Sequence, residues 1–167
     1  MAVAAVLRPR VPMGFIDGTT FVASLGAAES LGAHVAWPNA VVDADGAELV
    51  RVTCRAGYDD EGIYVTCELD GDAATDAVVD AVVARVDAWG DAVAAGSKAG
   101  PLAAVLEEYF DACLLMGRAV RVVRRDGSVA CEGTLAGMDI WGRVTVKLDD
   151  GREVEIAPGQ ASVVARA

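Results

Sequence analysis

Ala36-Trp37-Pro38-Asn39-Ala40 separates two short apolar runs, His34-Val35-Ala36-Trp37 before it and Val41-Val42 after it. Pro38 has no N–H to give to a sheet ladder, so the strand expected over 34–43 carries an interruption in its middle. Two further strands are expected over 48–55 and 62–69, joined to what precedes them by Ala44-Asp45-Gly46 and to each other by Tyr58-Asp59-Asp60-Glu61. Asp-Gly between apolar runs is a strong hairpin signal.

The flanking segments change period. On the N-terminal side, 15–31 reads as a helix opened near Pro12 and closed by Gly32; Gly18 and Gly26 each weaken it by roughly 1 kcal/mol relative to alanine. Ordinary helix–sheet packing accounts for such small residues. On the C-terminal side, Val78, Val79, Val82, Val83, Val86 and Val93 keep one helical face apolar, with Asp72 or Thr75 available as a cap and Asp76 in the first turn. Gly96-Ser97-Lys98-Ala99-Gly100 breaks this helix, and Pro101 suits the first turn of another that carries Leu102, Val105, Leu106, Tyr109, Phe110, Cys113 and Leu114. Gly117 ends that helix and divides the chain into domains 1–116 and 117–167. Beyond it, 118–125, 128–136, 143–148, 152–156 and 162–166 alternate or run apolar, with Asp126-Gly127 and Asp149-Asp150-Gly151 between them. Short strands joined by such turns read as a small barrel.

Composition narrows the function classes. A chain of 167 residues that is 54% hydrophobic can bury one sizeable core with a small satellite. Its apolar stretches are interrupted well before the ~18–20 residues a bilayer span needs, which argues against a membrane helix. The opening Met1-Ala2-Val3-Ala4-Ala5-Val6-Leu7 has no basic residue before it and Arg8 directly after it, so a strand over 2–7 fits better than a signal-peptide core. A net charge of −11 repels phosphate backbones. The basic residues Arg118, Arg121, Arg124 and Arg125 divide between two strand faces, and nucleic acid is not an expected partner. Cys54, Cys67, Cys113 and Cys131 are widely spaced and sit in apolar runs, as small core residues of a reducing cytoplasm do. Cys54 and Cys67 lie on two strands expected to pair, so a redox bridge is a second, less favoured reading. The lone His34 precedes a strand with no nucleophile placed near it, and no Cys/His spacing suits a metal. Glu107 and Asp111 share a solvated helical face beside Glu108, without a metal-ligand partner.

The central pentapeptide resembles the Lys-Trp-Pro-Asn-Asp signature of the biotin protein ligases, with Ala36 and Ala40 standing where the signature has lysine and aspartate. The resemblance spans nearly the whole chain. Leu7-Arg8-Pro9 looks like the end of the family strand that follows an arginine-rich adenylate loop, so the match starts in mid-domain and implies a truncated N-terminus. Asp45-Gly46-Ala47-Glu48-Leu49-Val50-Arg51-Val52 looks like the family hairpin Asp-Gly-Arg-Lys-Leu-Ala-Gly-Ile, with Glu48 in the place of a second ligand-site lysine and Arg51 in the place of a glycine that lets backbone approach biotin. Gly62-Ile63-Tyr64-Val65-Thr66 occupies the place of Gly-Ile-Gly-Ile-Asn, and the region from Gly117 onward is similar to the SH3-like barrel that closes these ligases.

The resemblance implies an α+β fold: a mixed-sheet biotin/lipoate-ligase-like domain followed by a small SH3-like β-barrel. It also implies the chemistry that the substitutions would disable. In the family, biotin carboxylate attacks the α-phosphate of ATP and a carrier lysine then takes the mixed anhydride, and cationic side chains and backbone N–H groups stabilise the developing charge. Losing one such donor commonly costs on the order of 3 kcal/mol. The expectation is therefore a catalytically degenerate, cytoplasmic, ligase-like binding or interaction module. It has no catalytic or metal-ligating residue, and it keeps a degenerate ligand site at Ala36, Trp37, Asn39, Ala40, Glu48 and Arg51. No cofactor is expected. ATP, magnesium and biotin belong to the alternative, a ligase active only with a missing N-terminal segment or partner half. For Trp37 and Pro38 the favoured reading is that they pack the end of the sheet. Lys147 lies within an expected strand and not in the hairpin turn that a biotin-acceptor lysine needs. The strand over 2–7 has almost no charge to deter edge pairing, so the expected partner is a second copy, or else a ligase or biotin carrier.

Overall fold

Alternation along two long strands builds the first layer. Val50 and Val52 on β4 (Glu48–Asp59), and Val65, Cys67 and Leu69 on β5 (Gly62–Asp70), are buried, while Arg51, Glu68 and Asp70 between them are exposed. One face of the sheet is thus apolar and needs covering. β4 and β5 pair antiparallel around the turn Asp60-Glu61, and β1 (Ala2–Leu7), β2 (His34–Ala36) and β3 (Ala40–Val42) complete the order β1-β5-β4-β3-β2. The structure, a computed structural model, describes residues 2–96 and 98–166.

Two helices cover the apolar face. A 3-10 turn, Met13–Gly18, leads into α1 (Thr19–Leu31), so the helix expected over 15–31 opens with a tighter first turn. Thr19 Oγ1 donates to the Ile16 carbonyl at 2.7 Å across the junction. α1 is buried along most of its length because α2 (Asp76–Ala94) lies over it. Thr75 caps α2 by accepting from the Val78 N–H. The close approach expected between α1 and the sheet instead joins the helices: a Cβ on Gly26 would lie 2.8 Å from Arg85 Cβ. Gly18 leaves room for Pro101 and Trp89 in the same way. Trp89, on the buried face of α2, donates its indole N–H to the Pro101 carbonyl at 2.7 Å.

The helix expected after Pro101 forms only as α3 (Leu106–Ala112). Its would-be first turn is held by the second half of the chain, where the Leu102 N–H donates to the Ile140 carbonyl at 2.9 Å. Its end is drawn off by the first sheet: Cys113 forms an isolated parallel bridge to Val35, and the Leu114 N–H donates to the Val35 carbonyl at 3.1 Å. Every ladder between named strands is antiparallel, so this single bridge is the parallel component of the expected mixed sheet among the described residues. It also covers the β2 edge, leaving β1 as the open edge. Ser97, within the expected break at 96–100, lies outside the described residues.

The remaining strands, β6 (Ala119–Arg124), β7 (Val129–Met138), β8 (Val144–Leu148), β9 (Glu153–Ile156) and β10 (Ala161–Ala165), form a second antiparallel sheet in the order β10-β6-β7-β8-β9. They follow the expected strands closely. Among the described residues no ladder joins β9 to β10, so the small SH3-like unit is an open sheet with bulges at Val122/Val123 and Leu135/Gly137. Its inward residues, among them Val120, Val122, Leu135, Val144 and Val146, belong to the same buried cluster as the helices and the first sheet. No helix among the described residues is long and apolar enough to cross a membrane.

Candidate functional site

The interruption at Pro38 is a hairpin. The expected strand over 34–43 is two three-residue strands, β2 and β3, paired Val35 to Val41 and Ala36 to Ala40 around Trp37-Pro38-Asn39, with a cis Trp37-Pro38 peptide. Folding back lets Asn39 do what a continuous strand would not allow. Its Nδ2 donates to the Val52 carbonyl and its own carbonyl accepts from the Val52 N–H, both at 2.8 Å, which pins the turn to β4. Trp37 turns inward, is 3% exposed, and donates its indole N–H to the Gly142 carbonyl at 2.8 Å.

A row of residues then crosses three strands: Ala36 faces Ala40, and Ala40 faces Arg51. The Arg51 guanidinium pairs with Glu48 through Nη2 and through Nε, the latter at 3.1 Å, and Nη1 donates to Asn39 Oδ1 at 3.3 Å. Cation, carboxylate and carboxamide are thereby committed to one another. All six residues expected at the site, Ala36, Trp37, Asn39, Ala40, Glu48 and Arg51, line a single pocket of about 300 Å³. Its far wall comes from Leu114, Leu115 and the β10 residues Ser162, Val163 and Val164. That wall was not legible in the sequence, because nothing local in β10 marks which sheet it faces.

A second pocket, about 480 Å³, opens on the other side of Pro38 and Asn39. Asp17 from the 3-10 turn and Thr20 and Phe21 from the start of α1 line it together with Trp141, Pro158 and Gly159. The Trp141 ring meets Phe15 edge-on at 6.0 Å. Neither Asp17 nor Trp141 stood out in the sequence; an indole beside a glycine in a turn of a small sheet was the available signal. Asp139 shapes this turn, accepting from the N–H groups of Trp141 at 2.9 Å and Arg143 at 3.0 Å and from Arg143 Nε at 2.7 Å. Burial raises the pKa of its carboxyl, and these hydrogen bonds outweigh that effect and hold it below the usual carboxylate value.

The other charged candidates are structural. Glu108 pairs with Arg85 and so braces α3 against α2. His34 lies in β2 opposite Val42, and Lys147 lies inside β8 opposite Thr134 and Glu153. Among the described residues no group of three or more His, Cys, Asp or Glu side chains is placed to hold a metal ion.

No family model matches the sequence, and no curated protein matches it. The fold, however, is that of the biotin protein ligases: an α+β layer followed by a small SH3-like sheet. The apo biotin protein ligase of Aquifex aeolicus superposes with a TM-score of 0.68 at 16% identity over 99% of this chain and 82% of that one. The same enzyme in complex with biotin and ATP gives 0.66 at 14% identity over 99% and 78%. A point mutant of that enzyme in complex with biotin gives 0.65 at 16% identity over 99% and 78%. What the chains share is the architecture.

Proposed function

We propose that this chain is a catalytically silent member of the biotin-protein-ligase fold, a cytoplasmic binding or interaction module. The observation that carries the reading is the closed set Arg51–Glu48–Asn39 beside Ala36 and Ala40. Adenylate chemistry needs cations free to meet phosphate oxygens as charge develops. Arg51 is the cationic side chain among those lining the pocket, and its charge is already matched by Glu48. The two alanines opposite each other offer neither charge nor a side-chain hydrogen bond. Biotin, ATP and magnesium therefore do not fit the residues present.

The test is transfer of radiolabelled biotin to a carrier domain in the presence of ATP and magnesium. The expected outcome is no biotinyl-adenylate and no labelled carrier; labelling at rates near those of a working ligase overturns the reading. That all six site residues still surround one pocket favours one competing reading, a biotin–protein ligase completed by a further segment or partner half. Under it, labelling appears once that part is supplied. As an interaction module, the chain's partner is a second copy joined through the open β1 edge, or a ligase or biotin carrier.

A further inference from the structure

Cys54 and Cys67 face each other directly across β4 and β5. Asp59 and Gly62 flank a two-residue turn and form a hydrogen-bonded pair; Cys54 and Cys67 lie an odd number of steps along the ladder from them and therefore occupy a non-hydrogen-bonded site. At such sites the side chains are closest, with Cα atoms about 4.5 Å apart, inside the ~4.4–6.8 Å range a disulfide spans. Both side chains point to the helix-covered face. Cys67 is 1% exposed and Cys54 is half-buried, and both are reduced.

The surroundings distinguish the two sulfurs. The Cys54 pKa lies below the ordinary thiol value because the neighbouring Cys67 thiol and, less strongly, the Thr20 hydroxyl on α1 favour its thiolate against the opposing effect of burial. Cys67 is raised by the same pairing and by burial. A small pocket of about 60 Å³, walled by Ile16, Asp17, Thr20, Ala56 and Val65, reaches Cys54. That space is several times smaller than either pocket beside Asn39, which favours a small oxidant over a peptide disulfide.

We propose that Cys54 and Cys67 form a peroxide-reactive dithiol site, in which Cys54 is the attacking sulfur, Cys67 the resolving one, and hydrogen peroxide the oxidant. Cys54 Sγ, as thiolate, attacks one peroxide oxygen; the O–O bond breaks, and the departing hydroxide takes the electron pair and a proton to leave as water. Cys67 Sγ then displaces the oxygen of the Cys54 sulfenic acid, forming the S–S bond, and the second oxygen also leaves as water. Two thiols lose two protons and two electrons, and one peroxide becomes two waters. The product ties β4 to β5 beneath α1, in the sheet that carries Arg51 and Glu48.

The protein is treated with hydrogen peroxide under native conditions, then denatured in the presence of an alkylating reagent and read by intact mass and non-reducing peptide mapping. The expected result is loss of two hydrogen masses, a Cys54–Cys67 cross-link, full recovery with dithiothreitol, and much slower oxidation by glutathione disulfide. In Cys67→Ser the reaction stops at a Cys54 sulfenic acid, read as a gain of one oxygen mass and trapped by dimedone added together with denaturant, and in Cys54→Ser no cross-link forms. Thr20→Val, checked for native circular dichroism, slows the reaction: without the Thr20 hydroxyl the Cys54 pKa rises, and the fall in thiolate fraction outweighs the gain in nucleophilicity, whose Brønsted coefficient is only about 0.4–0.5. The proposal is overturned if Cys54 and Cys67 both remain alkylatable after peroxide, if the cross-link uses Cys113 or Cys131, or if dimedone labels a residue other than Cys54 in Cys67→Ser.

Discussion

The Trp37 indole N–H donates to the Gly142 carbonyl at 2.8 Å, joining residues 105 positions apart. One end of this bond is the turn of the β2–β3 hairpin, and the other is the turn between β7 and β8. Gly142 can offer its carbonyl there because its backbone is left-handed, with φ at +86°, and because it has no Cβ; one would lie 2.5 Å from the Phe21 ring. The most diagnostic tryptophan of the sequence thus serves to lock the two sheets together, with one face of its turn against each pocket.

Replacing Trp37 with phenylalanine keeps an aromatic ring and removes this bond. It leaves a carbonyl without its partner and a small void in a site that is 3% exposed. The expected loss is about 1–3 kcal/mol, and for a chain of this size each kcal/mol lowers Tm by roughly 2–4 °C. Thermal and urea unfolding of Trp37→Phe measure it. A change under about 0.5 kcal/mol, the level of an ordinary surface substitution, contradicts the assignment.

The turn that presents Gly142 is held by Asp139, which gives it a pH dependence. The folded pKa of this carboxyl is depressed, so its contribution is fully present above the unfolded value near 3.9 and is lost as pH falls through the lower folded value. In urea melts, Asp139→Asn is expected to be less stable than the parent at about pH 6, with the gap closing below about pH 4. A gap that persists unchanged to about pH 2 shows that the ionised carboxylate is not what holds the turn.

Biotin is expected to bind more weakly than about 1 mM in calorimetry, equivalent to roughly 4 kcal/mol. Arg51 places a long side chain on the β4 strand where its register partner is Ala40, and its salt link to Glu48 would have to break before a carboxylate could use it. Micromolar binding means that the pocket accepts the ligand in a different pose.

The β1 edge carries Val6 at 64% exposure and no charged residue between Ala2 and Leu7. Unpaired edges without charge pair with one another. A homodimer is expected in light scattering at high micromolar concentration, and Val6→Lys is expected to convert it to monomer without loss of helix content. A parent protein that is strictly monomeric under these conditions removes β1 as an interface.

How far the fold is legible in the chain depends on how local its cause is. β4, β5, the apolar face of α2 and all five strands of the second sheet follow from alternation, helical period and Asp-Gly turns, because a residue's own neighbours decide which face it shows. The six residues that the family resemblance pointed to lie in one stretch of sequence, and the structure sets them around one pocket. The hairpin at Pro38 was not, because its return depends on Asn39 finding Val52. Likewise α3 is short because Ile140 and Val35 take the hydrogen bonds at its two ends, and Gly26 meets α2 where local reasoning placed the sheet. Sequence by itself determined most of the elements, through short-range periodicity and turn chemistry. Tertiary structure alone decided what those residues touch: the Arg51–Glu48–Asn39 closure, the β10 wall of the pocket, Trp37 on Gly142 and Cys54 against Cys67. Each of these is a contact whose partner is chosen by packing across the fold and leaves no mark on the residues beside it.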